Sequence, residues 1–362
     1  MEKYPSSFPL TMRAWIHSRA GPPSTVLSFS SDVPTPTIKE PTEVLVRISH
    51  AALNPGASIM MQLCPFFFRS RLAIPESDFS GTLVAAGSGA LESGRLTVGD
   101  SVFGSISVGS HIRAGSGALA EFVVVPVANV ARRPKSNGTD AEVSGLGVAG
   151  CTAVALMEKA ELKNGNSVLV NGASGGIGSM TVQMARDAVG ANGRVVAICS
   201  AANAEMIKGL GADEVIDYQT CHPISTHLAS QFSDQRFDAV IDAYGVRELY
   251  SQCGDYLKPG KPFVTVGVAH KNYSYSGMLG AVWAIVMNLM ASLLPGETRR
   301  SYLQVNAAVN LEALERLRCL VEQEKLRVPI DSCWDMGDAL QAYDRMLSRR
   351  ARGKVVVKVQ QE

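Results

Sequence analysis

The sequence predicts an α/β protein in two parts, a mostly antiparallel β unit and a doubly wound parallel sheet flanked by helices. Three observations carry this prediction. The first 130 residues hold short β-branched runs closely punctuated by Gly and Pro; beyond about residue 140 strands alternate with helical segments; and a glycine-rich turn, Gly172-Ala173-Ser174-Gly175-Gly176-Ile177-Gly178, joins one such strand to one such helix. At 362 residues the chain exceeds what one hydrophobic core usually serves, so at least two domains are expected.

Each element follows from its own residues. Val44-Leu45-Val46-Arg47-Ile48, Gly81-Thr82-Leu83-Val84-Ala85-Ala86 and Phe122-Val123-Val124-Val125 are apolar runs of strand length, the last stopped by Pro126. Strands so short and so close suggest a small barrel or sandwich. Ala141 to Lys159 has helical composition. Ser167-Val168-Leu169-Val170-Asn171 reads as a buried strand, and the helix after the glycine turn draws its apolar positions from Met180, Val182, Met184, Ala185 and Ala188. Further strands are expected at 194–199, 214–216, 239–243 and 263–267, with a helix over 204–210. Such alternation implies a parallel sheet with right-handed crossovers. Helices over 310–324 and 336–347 precede a last strand, 354–359, which most simply pairs back into the first unit.

Composition narrows the function. Apolar residues make up 46% and charged residues 19%, as in an ordinary globular protein. Lys plus Arg number 34 against 33 Asp plus Glu, so no basic excess is available to neutralise a phosphate backbone, and nucleic acid is not an expected partner. Seven cysteines without a C-x-x-C read as reduced thiols. Residues 1–10 contain Pro5 and Pro9 and no apolar run of the secretory kind, so a cytoplasmic location is expected. One stretch stands apart: 272–296 has no charge, and 278–294 is strongly apolar, just short of a bilayer span. A buried helix or a subunit contact is the first reading, given Asn288, Ser292 and Pro295-Gly296; a wall for a lipophilic substrate, a membrane-surface contact and a spanning anchor are the alternatives. The chain is expected to be a monomer or a homodimer.

The glycine turn points to a nucleotide. Its small residues let the backbone turn sharply and approach a pyrophosphate, while the following helix presents unpaired N–H groups and a partial positive charge. In such a fold an acidic residue at the end of the second strand would bind the ribose hydroxyls and repel a 2′-phosphate. No acid stands between Arg194 and Ala204. NADPH is therefore expected over NADH, with Ser200 and Asn203 donating to the phosphate and Lys208 one turn on; N-capping is the other role open to Ser200 and Asn203. Tyr218 either packs near the adenine end or serves the fold.

The chain resembles the medium-chain dehydrogenase/reductase superfamily, in its zinc-independent quinone oxidoreductase and enoyl reductase branch. The resemblance rests on Ala52-Leu53-Asn54-Pro55, Asp78-Phe79-Ser80-Gly81-Thr82-Leu83-Val84, Gly99-Asp100-Ser101-Val102-Phe103-Gly104, Gly117-Ala118-Leu119-Ala120-Glu121-Phe122, Cys151-Thr152-Ala153, the glycine turn, 210–218 and Gly353-Lys354-Val355-Val356. Cys199-Ser200-Ala201-Ala202-Asn203 is similar to the matching segment of fungal trans-acting enoyl reductases and tailoring reductases. The resemblance implies a GroES-like catalytic domain from 1–140 and 318–362 and a Rossmann domain over 141–317. It places Ser174, Gly175, Gly176 and Ile177 at the pyrophosphate, Ser200 and Asn203 at the 2′-phosphate, and Tyr218 near the adenosine. Asn54, Thr152, Gly267, Val268 and Lys354 fall to the nicotinamide half; Asn54 also reads as a turn residue before Pro55.

Zinc-dependent relatives carry a Cys within the span of Asn54 to Ser58, a His-Glu pair at Ser77-Asp78, and a four-Cys lobe; none of these is present, and no zinc is expected. Hydride transfer to a polarised alkene needs no metal Lewis acid. The Tyr that some enoyl reductases place just after Asn-Pro as proton donor is missing too, so Ser58, water or a substrate group remain as donors. Cys64 reads as a structural thiol rather than a nucleophile. Phe66-Phe67-Phe68 and the uncharged segment suit an apolar substrate, free or linked to a thioester or carrier, with core packing the alternative for the three Phe. The expected function is NADPH-dependent reduction of an activated C=C bond in secondary metabolism. A quinone reductase and a non-catalytic NADPH-binding protein are the rival readings.

Overall fold

A computed structural model describes residues 8–64, 67–267, 269, 274–293, 301–306 and 309–360. The chain divides into two compact units, the first from Met1–Cys151 with Ala308–Glu362, the second Thr152–Ala307. The division therefore falls after Cys151 and before Ala308, not at 140/141 and 317/318.

In the first unit β1 (Thr11–Ile16) pairs with β2 (Ser28–Pro34). The long strand β3 (Glu43–Ala52) pairs antiparallel with both β4 (Asp78–Ala86) and β6 (Phe122–Pro126). β5 (Ser101–Ser105) links β4 to β7 (Val130–Arg132). Side chains alternate across β3. Val44, Val46 and Ile48 enter a core with Phe79, Leu83, Val102 and Val123, while Leu45 joins Met12, Ala14 and Phe122 on the other face. Both faces are buried over Val44-Leu45-Val46, hence three apolar residues in a row, while Arg47 reaches solvent.

The second unit holds β8 (Ser167–Asn171), β9 (Arg194–Cys199), β10 (Glu214–Asp217), β11 (Ala239–Asp242), β12 (Pro262–Thr265) and β13 (Ser301–Gln304). All pair in parallel, in the order β10-β9-β8-β11-β12-β13. The chain runs outward from β8 to β10 and then restarts at β11 on β8's other side. Ligands of such sheets bind beyond the carboxyl ends of the strands where this reversal occurs. The glycine turn leaves β8 at that point. The chain then returns to the first unit, where β14 (Ile330–Asp335) lies parallel to β15 (Lys354–Lys358), and β15 pairs antiparallel with β3 as the sequence suggested.

Several expectations need correction. The helix read over 141–159 is two helices, Asp140–Ser144 and Val148–Ala160. At Gly147 between them a Cβ would sit 2.3 Å from Asp78 Oδ1, so only glycine fits there, and Asp78 Oδ1 accepts the Val148 N–H at the start of the second helix at 2.9 Å. The stretch 336–347 opens as a 3-10 turn, Met336–Asp338, before the helix Ala339–Leu347. The apolar helix is Tyr275–Leu293, but it is not wholly buried: Leu279, Val282, Trp283, Met287 and Met290 are exposed, whereas Ala284 and Asn288 face inward. Among the described residues no helix is long and apolar enough to cross a membrane. Phe67 and Phe68 are exposed rather than core residues, their ring centroids 4.6 Å apart; Phe66 lies outside the described residues.

Candidate active site

The turn after β8 is shaped by its glycines for different reasons. Gly172 takes a left-handed φ of 69°, with Tyr244 Cβ 2.9 Å from where its own Cβ would be. At Gly178 a Cβ would lie 2.1 Å from the Gly172 carbonyl oxygen, so the helix Gly176–Val189 can pack on its strand only with glycine there. Gly175 differs. A Cβ there meets only the Gly172 carbonyl at 3.6 Å, so the protein's own packing does not demand glycine. The bare backbone of Gly175 caps the helix without a side-chain hydrogen bond. The first-turn N–H groups have no intrahelical acceptor. This is an open cradle for an anion, and Ser174, Gly175, Gly176 and Ile177 line it in one continuous turn.

Asp242, missed in the sequence, braces this turn. Its Oδ1 accepts from Asn171 Nδ2 at 2.8 Å and from the Gly245 N–H at 2.8 Å, and Oδ2 accepts from the Val246 N–H at 2.7 Å. Burial raises its pKa against these hydrogen bonds. The bonds tie the carboxyl ends of β8 and β11 together at the reversal point. An Asp at a strand end before Gly245 was the available signal.

At the end of β9 the other nucleotide candidates stand ready. Ser200 precedes the 3-10 turn Ala201–Asn203 and Asn203 ends it, and neither side chain makes the capping hydrogen bond that was the alternative reading. Asn203 is buried, and its Oδ1 meets no donor among the described residues. A side-chain amide so placed can turn to offer either its oxygen or its nitrogen. Tyr218 is half exposed, held by its backbone N–H to Cys199 O at 3.3 Å, and Lys208 is exposed. Gly267, beyond β12, has φ 112° and donates to Thr265 Oγ1 at 3.1 Å; Val268 lies outside the described residues. Thr152, in the helix Val148–Ala160, is buried. These residues fit a dinucleotide: a pyrophosphate cradle of bare backbone and, on the adjoining strand, uncommitted polar side chains with no carboxylate between Arg194 and Ala204.

The first unit gathers a second set. Asn54 precedes the helix Pro55–Leu63 and is buried, as is Lys354 at the start of β15. Lys354 Nζ donates to Asn54 Oδ1 at 2.7 Å and to the Leu53 carbonyl at 2.9 Å. Asn54 Nδ2 donates to Asp78 Oδ2 at 2.9 Å and to Ala52 O at 3.2 Å. Asp78 Oδ1 accepts the Val148 N–H at 2.9 Å, and Lys354 Nζ lies 3.8 Å from Asp78 Oδ2. Glu76 completes the cluster: Oε2 accepts the Asn54 N–H at 2.9 Å, and Tyr343 Oη lies 2.7 Å from Oε1. Glu76 and Asp78 have no exposed surface. Burial lowers the Lys354 pKa, opposed by Asp78 and Glu76, and pushes the Glu76 carboxyl up to about 8. The sequence paired neither Asn54 with Lys354 nor either with Glu76 and Tyr343, because they lie far apart in the chain.

Both hydrogens of the Asn54 amide are spent inside this network, while its oxygen keeps one lone pair free. Ser58 is fully buried and accepts from Gln62 Nε2 at 3.1 Å. Cys64 is partly buried, and Cys151 is buried with its thiol pushed up to about 12 by desolvation, which makes it inert. The structure thus brings Asn54 and Lys354 together and sets Ser58 one helical turn beyond Asn54.

Zinc does not fit. At the positions where zinc relatives hold ligands this chain has Asn54, Ser77 and Asp78, of which only Asp78 is a carboxylate, and its oxygens already serve Asn54 and Val148. Among the described residues no group of three or more His, Cys, Asp or Glu could hold a metal ion.

A parallel sheet with a glycine turn at its reversal point, in a chain that also holds an antiparallel β unit, is the architecture of a nicotinamide-dependent oxidoreductase. Residues 40–135 match the alcohol dehydrogenase GroES-like domain, and 210–357 match a model described as zinc-binding dehydrogenase. The chain is 37% identical to the trans-enoyl reductase poxH of Penicillium oxalicum, covering 97% of this chain and 99% of that protein. It is 31% identical to the medium chain reductase pydE of an Acremonium species, over 96% and 99%. A solved quinone oxidoreductase from Coxiella burnetii shares the fold with a TM-score of 0.77 at 25% identity, over 97% of this chain and 100% of that one. The chain belongs to the medium-chain dehydrogenase/reductase superfamily, in its enoyl reductase branch.

Proposed function

We propose that the protein is an NADPH-dependent reductase of activated C=C bonds in secondary metabolism, working without zinc on an apolar enone, enoyl thioester or polyketide-like substrate. One observation supports the cofactor reading above others: β9 ends at Cys199 and runs into Ser200 with no carboxylate, and neither Ser200 nor Asn203 is spent on capping. The similarity to a trans-enoyl reductase supports the reaction class. When bound, the reduced nicotinamide supplies hydride to the alkene carbon.

The chain's own residues supply binding and orientation. Ser174, Gly175, Gly176 and Ile177 hold the pyrophosphate, Ser200 and Asn203 the 2′-phosphate, and Tyr218 the adenosine. Asn54, Thr152, Gly267, Val268 and Lys354 are assigned to the nicotinamide half. Lys354 and Asp78 fix the Asn54 amide so that its free lone pair has one direction, which lowers the reorganisation needed when a ligand arrives. Location in the cytoplasm belongs to the same reading.

The test is the rate of NADPH oxidation by purified protein with an enone or an enoyl thioester against simple quinones. Faster turnover of the enone or thioester is expected. A preference for quinones would favour the second reading, which the Coxiella burnetii neighbour supports. Tight NADPH binding with no turnover of any acceptor would make the protein a binder rather than an enzyme.

A further inference from the structure

β13 carries a polar residue where its own pattern calls for an apolar one. Side chains two apart on a strand share a face. Tyr302 is buried, its ring centroid 4.8 Å from that of Tyr250 and 6.2 Å from that of Phe263, and Gln304 follows on the same face at the carboxyl end of the strand. Gln304 Oε1 is sealed from solvent and meets no donor among the described residues. Its register partner on β12 is Thr265, whose hydroxyl is committed to Gly267, accepting the N–H at 3.1 Å and donating to the carbonyl at 3.0 Å. Gly267 in turn leaves the Gln304 amide uncrowded, since a Cβ there would lie 3.1 Å from Gln304 Nε2. A buried amide oxygen without a donor is costly, and here it calls for a donor from outside the chain.

The sheet order supplies the direction. With a pyrophosphate at the glycine turn after β8 and the adenosine toward β9 and β10, the other half of a dinucleotide runs over β11, β12 and β13. Gln304 and Gly267 lie at the far end of that course. We propose that Gln304 is a cofactor-recognition residue whose side-chain amide pairs with the carboxamide of a nicotinamide ring, its oxygen accepting from the carboxamide NH2 and its nitrogen donating to the carboxamide oxygen. Amide answers amide, because each offers one acceptor and a pair of donor hydrogens. The pairing holds the ring against rotation about its bond to the ribose. The inference rests on the proposed reading of the glycine turn as a dinucleotide site.

Calorimetric titration with three nucleotides tests it: NADP+, its 3-acetylpyridine analogue, in which a methyl group replaces the carboxamide NH2, and 2′-phospho-ADP-ribose, which has no nicotinamide. The wild type is expected to bind NADP+ about tenfold tighter than the analogue, as one hydrogen bond to an otherwise unpaired group warrants. Gln304→Leu and Gln304→Met should lose that preference while binding 2′-phospho-ADP-ribose as the wild type does, which also shows that the site has folded. The proposal is overturned if the wild type binds NADP+ and the analogue alike, the result expected were a water alone to serve Gln304. It is overturned equally if either variant binds 2′-phospho-ADP-ribose normally and keeps the wild-type preference. In both of those cases the nucleotide site itself stands. A wild type that binds none of the three removes the site and the inference together.

Discussion

Around the glycine turn of the second unit polar groups stand open, with first-turn amides, Ser200 and Asn203 uncommitted, whereas around Asn54 in the first unit almost every donor and acceptor is taken by another. On the proposed reading the turn is a receptor whose partner comes from outside. The Asn54 cluster is a truss whose parts satisfy one another. Substitutions at the turn should therefore alter ligand affinity more than folding, and substitutions in the cluster folding more than affinity.

The severest trial of that contrast is Lys354→Met. It strips the ammonium from Asn54 Oδ1, Leu53 O and Asp78, and a loss of about 3–5 kcal/mol in denaturant unfolding is expected, as for other broken buried pairs. The glycines sharpen the contrast inside the turn itself. Gly178→Ala drives a methyl into the Gly172 carbonyl and should cost about 1–3 kcal/mol of stability. Gly175→Ala has room in the free protein and should melt like the parent, yet weaken NADPH at least about tenfold in calorimetric titration. If both melt alike, the turn is not two kinds of glycine.

Removing Ser200 and Asn203 together, each to Ala, should leave melting nearly unchanged and shrink the preference for NADPH over NADH by about tenfold, roughly 1.4 kcal/mol. An unaltered ratio of the two dissociation constants would count against the 2′-phosphate assignment. The gentlest effect concerns acid and base. Burial raises the folded Glu76 pKa to about 8 from an ordinary value near 4.5, so the fold binds this proton more tightly than the unfolded chain does. Its contribution is complete below pH 4.5 and drains away as pH rises through 8. Melting temperature should decline across that window, and Glu76→Gln should make the decline shallower.

The two regions also differed in how well the sequence disclosed them. The turn was legible because its glycines answer to neighbours a few residues away, and β8 and β9 run from Ser167 to Asn171 and from Arg194 to Cys199 as their apolar runs indicate. The Asn54 cluster was not, since Asn54 and Lys354 are 300 residues apart and Glu76 has no local pattern marking it for burial. The split of the helix over 141–159 was hidden for the same reason: the carboxylate that accepts the Val148 N–H where the second helix begins is Asp78, on a distant strand. β13, only Ser301–Gln304, was too short to stand out from the polar residues around it. The exposed face of Tyr275–Leu293 escaped because an apolar run reports hydrophobicity and says nothing about which neighbours exist to cover it.

The pairing of β15 with β3 fixes an order of events during synthesis. The second unit's sheet can close once Gln304 has emerged, but the first unit must wait for a strand translated some 300 residues after the asparagine its lysine secures. Until then Asp78 and Glu76 sit beside an empty berth on a nascent chain, and the inserted unit can assemble first while the earlier-made one remains unfinished.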